Sequence, residues 1–219
     1  MRFAAIETST EWCSVALWRD GEIAAIERRA ANRHSELVLP MLERLAGKAG
    51  ITLAQLDAVA FGAGPGSFTG LRVACGLAQG LAFGRALPVI GISTLEAIAE
   101  ASGAPRVVAC IDARMSEVYY AALERRGGRW VETVPVQCVA PQAAPRPPGQ
   151  DWVGCGNGFA VYGDMRLKRI LAEIHPGAVA VAQLAAPRLA AGEGVDAAAA
   201  APIYVRDKVA FTRQELGAR

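Results

Sequence analysis

The sequence predicts a mixed α/β fold in two unequal lobes. Two observations carry that expectation. The chain opens with three short strand-like runs and then alternates helices with strands. A Ser102-Gly103-Ala104-Pro105 break is followed by a second set of strands. Size agrees, since 219 residues with 53% apolar and 20% charged content can bury a sizeable core and exclude wholesale disorder. The expected division is therefore 1–103 and 104–219.

The elements follow in order. Phe3 to Ile6 is an apolar run, and Cys13 to Trp18 alternates. Asp20-Gly21 suits a two-residue hairpin, whose central positions need positive φ, so 22–28 returns as a third strand. A polar loop, Glu7-Thr8-Ser9-Thr10-Glu11, separates the first two strands. Residues 34–50 read as helix, with Leu37, Met41 and Leu45 four apart. Asn32 or Ser35 would cap it, and Pro40 would lie near its first turn or kink it. Then come a strand at 56–61, a glycine turn at 62–67, a helix at 68–84, a strand at 88–92 and a helix at 94–101. The second lobe reads as strands at 106–111, 118–124 and 152–154, with a proline-rich surface loop at 140–149. Helices are expected at 163–174 and 181–191, the latter interrupted by Pro187. No fixed-period repeat is visible.

Composition narrows the function. A net charge of +2 excludes nucleic-acid binding by bulk charge. The five cysteines, Cys13, Cys75, Cys110, Cys138 and Cys155, are odd in number and scattered, which speaks against a disulfide framework or a zinc site. They suit a reducing cytoplasm, as does the lack of a leader-like start. No apolar stretch approaches the roughly 20 residues that span a bilayer, so no membrane association is expected.

Several segments have two readings. Gly62, Gly64 and Gly66 stand before a helix start, where free amides attract phosphate, or they let chains approach closely in a sharp turn. In the helix that follows, Gly70, Ala74, Ala78 and Ala82 form one small-residue row, and Gly76 and Gly80 a second. Such rows serve packing on the chain's own sheet or on another subunit. Glu7-Thr8-Ser9-Thr10 reads as a phosphate hairpin or as a solvated strand end. His34 with Ser35 and Glu36 lacks the helical geometry of a triad and reads as a capping or interface histidine. Asp112, Arg114 and Glu117 would hold a turn or a ligand, and Cys155, in a second glycine turn, has no histidine near it in sequence.

Taken together, these segments resemble the TsaB (YeaZ) family of tRNA threonylcarbamoyladenosine biosynthesis proteins. The most specific string is Gly64-Pro65-Gly66-Ser67-Phe68-Thr69-Gly70-Leu71-Arg72. It is supported by Ile6-Glu7-Thr8-Ser9-Thr10, Arg33-His34-Ser35-Glu36, Ser93-Thr94-Leu95-Glu96-Ala97, Asp112-Ala113-Arg114 and Pro202-Ile203-Tyr204-Val205-Arg206. Glu7 stands where many relatives carry aspartate. The resemblance implies a two-lobed actin-like, Hsp70-like ATPase (ASKHA) fold with mixed sheets flanked by helices. It implies a non-catalytic activating subunit that forms a heterodimer with the transferase TsaD, is joined by the ATPase TsaE, and forms a homodimer when alone. The tRNA is met only within that complex. The implied partner interface comprises His34, Leu37, Met41, Leu45, Gly70, Leu71, Ala74, Cys75, Ala78 and Phe83. Glu7, Thr8, Ser9 and Thr10 would lie near any nucleotide. No tightly bound cofactor is implied, with room left for ATP or ADP at the complex interface. The metal-binding histidines of the catalytic paralogue fall at Thr94 and Ile98, which suit a transition metal poorly. The competing reading is a small ATPase or kinase of the same fold with its own nucleotide site.

Overall fold

The structure, a computed structural model, describes residues 1–30 and 32–206. Three strands open it: β1 (Arg2–Glu7), β2 (Trp12–Arg19) and β3 (Glu22–Arg29). Asp20 and Gly21 take φ of 52° and 100°, as the hairpin requires. Next come α1 (His34–Lys48), β4 (Ala58–Gly64), α2 (Phe68–Phe83), β5 (Val89–Ser93) and α3 (Thr94–Ser102). The sheet order is β3-β2-β1-β4-β5. β1 runs antiparallel to β2 and parallel to β4. Alternation along β1 sorts its faces. Ala4 and Ile6 pack with α1 and α2, while Phe3 and Ala5 join the core on the opposite side.

The second lobe contains β6 (Arg106–Arg114), β7 (Glu117–Arg126), β8 (Arg129–Val139), β9 (Val153–Cys155), α4 (Asn157–Tyr162), β10 (Arg169–Leu171) and α5 (Ala178–Ala190). Its sheet order is β10-β9-β6-β7-β8. β6, β7 and β8 are antiparallel neighbours, and β6, β9 and β10 are parallel ones. This repeats the first sheet strand for strand, although no period shows in the sequence. The two-lobed mixed α/β fold is thus a duplicated sheet. One core joins the halves: Phe3 and Ala60 from the first sheet, Val107 and Ala121 from the second, and Leu95, Ile98 and Val181 from α3 and α5 between them.

Several expectations need correction. β8 went unread because Pro135 interrupts its pattern, but the strand lies at a sheet edge, where a missing N–H is tolerated. The helix expected at 163–174 does not form. Gly163, at φ 80°, ends α4, and 169–171 pairs with β9 instead. β4 runs on through Gly62 and Gly64 rather than turning at 62. Pro40 and Pro187 both lie inside their helices. Neither Asn32 nor Ser35 caps α1, whose N-cap is Arg33 with no side-chain bond. The 103/104 boundary separates the sheets, yet the later chain returns to the first lobe. α5 packs against β1, β2 and β4, and Val195 bridges Val89.

The two rows of α2 part company. Gly70, Ala74, Ala78 and Ala82 are buried, whereas a Cβ on Gly76 or Gly80 would meet nothing within 4 Å. Ala78→Glu should therefore abolish cooperative unfolding in urea, because an unpaired charge would enter a closed core. Gly76→Ala should add about 0.5–1 kcal/mol in the same measurement, since it restores helix propensity at an open position.

Candidate functional site

The loop after β1 is held by what packs on it. Glu7, Thr8 and Ser9 are buried. Ser9 N–H donates to Glu7 Oε1 at 2.6 Å, and Thr8 Oγ1 donates to Gly70 O at 2.8 Å. Ser67 N–H donates to Ser9 O at 2.7 Å. The entry to α2 thereby lies directly on this loop, and only glycine allows it. A Cβ on Gly66 would sit 2.6 Å from Ser9 Cβ; one on Gly62 would overlap the Glu7 carboxyl, and one on Gly70 the Thr8 carbonyl. The close-approach reading of these glycines accounts for the geometry. Glu7, Thr8 and Ser9 are thereby enclosed beneath the start of α2. Thr10 is half-buried and accepts from Trp12 N–H.

Burial pushes the Glu7 carboxyl above its usual range, opposed by the hydrogen bond from Ser9 N–H. Its Oε2 and the Ser9 Oγ have no partner among the described residues. An acid in that setting is poorly suited to ordering a metal-bound water. Burial likewise raises the Cys155 thiol to about 11 and the Cys110 thiol to about 12, away from thiolate chemistry. Thr94 and Ile98 are fully buried, and no group of three or more metal-ligating side chains occurs among the described residues.

The second half ends its matching strands the same way. β6 carries Asp112, which accepts from the Tyr162 hydroxyl at 3.0 Å and the Arg114 N–H at 2.9 Å. Asp112, Arg114 and Glu117 thus build a turn, and Arg114, Met115 and Ser116 all take positive φ there. Between the two lobes runs the segment 202–206. Ile203 N–H donates to Ala63 O at 2.7 Å, and Arg206 pairs with Glu117 at 2.6 Å while donating to Arg114 O. Tyr204 accepts from Arg72 and packs on Phe68. The segment therefore ties the end of β4 in the first lobe to the Arg114–Glu117 turn of the second. Nothing in the sequence placed this segment there, because its partners lie about 90 to 140 residues away.

The residues expected at a partner interface divide. Met41, Leu45, Gly70, Leu71, Ala74, Cys75 and Ala78 are buried within the first lobe, where they seat α1 and α2 on their own sheet. Within the chain they position the two helices. Leu37 is half-buried, and His34 Nε2 lies 2.9 Å from Thr10 O, tying the start of α1 to the first loop. Phe83 is 71% exposed. Beside it the outer face of α2 shows Arg72, Gly76 and Gly80, and α1 shows Leu39 and Pro40, which the interface set had missed.

Residues 26–212 match the family model described as "TsaD: tRNA N6-adenosine threonylcarbamoyltransferase". The tRNA threonylcarbamoyladenosine biosynthesis protein TsaB of Escherichia coli (strain K12) is 38% identical over 97% of this chain and 98% of its own length. The chain belongs to the TsaB (YeaZ) family. The TsaB of Haemophilus influenzae is 39% identical over 95% of both chains. The solved YeaZ structure from Pseudomonas aeruginosa superposes with a TM-score of 0.88 at 38% identity, covering 93% of this chain and 99% of that one. The TsaB fold is thus carried over nearly the whole length, including the duplicated sheet.

One pH dependence follows for this TsaB-family chain. Glu7, with its pKa raised above 4.5, holds its proton more tightly folded than unfolded. It therefore withdraws stability as pH rises from about 4.5 through the folded value. Glu7→Gln, uncharged and of the same shape, should be more stable than the parent at pH 8. Urea denaturation across pH should show the difference closing below about pH 4.5.

Proposed function

We propose that this chain is a non-catalytic scaffold and activator in tRNA threonylcarbamoyladenosine formation. It docks the outer face of α1 and α2 onto a TsaD-type transferase, and TsaE joins the pair. Without that partner it pairs with itself through the same face. Any ATP or ADP would lie at the complex interface, and the place of work would be the cytoplasm. No helix among the described residues is long and apolar enough to cross a membrane.

The observation that supports this reading is the outer face of α2. Gly76 and Gly80 leave a shallow trough with nothing within 4 Å, flanked by the 71% exposed Phe83 and by Val73. Each interior glycine costs the helix up to about 1 kcal/mol relative to alanine, and no contact within the chain offsets that cost. Close approach of another helix does so. An exposed phenylalanine beside such a trough is a suitable anchor for a partner. The non-catalytic reading is supported by the sealed Glu7 loop and by thiols held in their neutral form.

Gly76→Leu and Phe83→Asp both change the open face without touching the core. Each is expected to lower the amount of TsaD that copurifies by at least about 30-fold, the scale of a lost interface anchor. Melting temperatures should stay within a few degrees of the parent. Nucleoside mass spectrometry of tRNA from cells carrying only the variant should show loss of threonylcarbamoyladenosine. Unchanged copurification by both folded variants, or modification of tRNA by the isolated chain supplied with the adenylate donor, would overturn the proposal.

A further inference from the structure

The outer end of the second lobe holds an opening of about 940 Å³, remote in sequence from α1 and α2. It lies between the proline-rich loop that follows β8 and the loop that joins α4 to β10. Its floor is aromatic. Tyr120 and Trp152 are buried, and Tyr162 is half-buried. The Tyr120 hydroxyl donates to Pro145 O at 2.7 Å and the Trp152 indole N–H to Pro148 O at 2.9 Å. These bonds fix the proline-rich loop as one standing wall. On the other wall, Arg166 N–H donates to Asp164 Oδ1 at 2.8 Å, which sets the loop's turn.

The rim is cationic. Arg146, Arg166, Lys168 and Arg169 are all exposed, and none forms an ion pair among the described residues. Asp151 and Asp164 are the acids of the same lining. The contrast with a second opening, of about 560 Å³, is sharp. That one is lined by Glu27, Glu100, Glu173 and His175, with no lysine or arginine. Four cations against two acids leave this lining with a surplus of positive charge.

We propose that this mouth is a contact site for RNA, with backbone phosphates along the cationic rim and an unstacked base entering over the Tyr162 side of the floor. The inference rests on the tRNA reading above and deepens it. Arg and Lys supply the phosphate term, and the half-buried Tyr162 ring supplies a π-face on which a base can stack. The opening is large enough to admit a nucleotide unit. The sequence hid the site because Arg146 and the 166–169 cluster are separated by about 20 residues and only the fold brings them together.

The test is fluorescence anisotropy of labelled, unmodified tRNA with the full chain from 50 to 300 mM KCl. The triple variant Arg166→Gln/Lys168→Gln/Arg169→Gln should bind more weakly, with the log–log salt slope reduced by about 2 to 3. Tyr162→Leu should weaken binding by about 5- to 100-fold with an unchanged slope, and Tyr162→Phe should restore it. A parent slope in the triple variant overturns the proposal. So does no RNA binding at 50 mM KCl, or displacement by polyglutamate as effective as by unlabelled RNA. The same variants should copurify with TsaD like the parent, so loss of this site and failure of the scaffold reading give separate results.

Discussion

Where α2 enters the first lobe, backbone rests on backbone, and the rest of the molecule is arranged around that contact. Thr8 Oγ1 reaches Gly70 O and Ser67 N–H reaches Ser9 O, across a gap that admits no Cβ at Gly62, Gly66 or Gly70. The contact fixes where α2 starts and how it is rotated. Its alanine row then falls on β4 and its glycine row faces outward. The same contact encloses Glu7 in a sealed joint. One packing constraint thus produces both the outward helix face and the closed loop.

The second half restates the design on a smaller scale. β6 carries Asp112 close to its end, and β9 ends on Gly154-Cys155, with Gly156 leading directly into α4. Cβ atoms on Gly156 and Gly158 would overlap Cys110, just as those of the first half would overlap Glu7 and Thr8. α3 then packs on both sheets, and α5 packs on the first sheet and on α3. The segment 202–206 links one lobe to the other through Ile203 and Arg206.

Much of the first lobe was legible, because its signals are local. The Asp20-Gly21 turn, the four-residue spacing of Leu37, Met41 and Leu45, and the strand–helix alternation depend on neighbours in sequence. The second lobe was harder. Its strands β9 and β10 have three residues each, too short for a period to show, and β8 carries a proline that an edge position excuses. The candidate interface was half legible. Small residues mark close packing, but the sequence does not say which row meets the chain's own sheet, so Ala74 and Ala78 were placed with Phe83 when the fold separates them. The cationic mouth and the 202–206 crossing were not legible, since each joins residues far apart in the chain.

The two halves differ most in what covers their outer faces. The first sheet carries α1 and α2, of 15 and 16 residues, whereas the second carries the six-residue α4 and loops. A duplicated molecule with equivalent covers on both ends would offer two sticky poles, and contacts between unlike poles propagate into open filaments. Trimming one cover leaves a single pole. The asymmetry leaves the paired long-helix cover on one sheet alone.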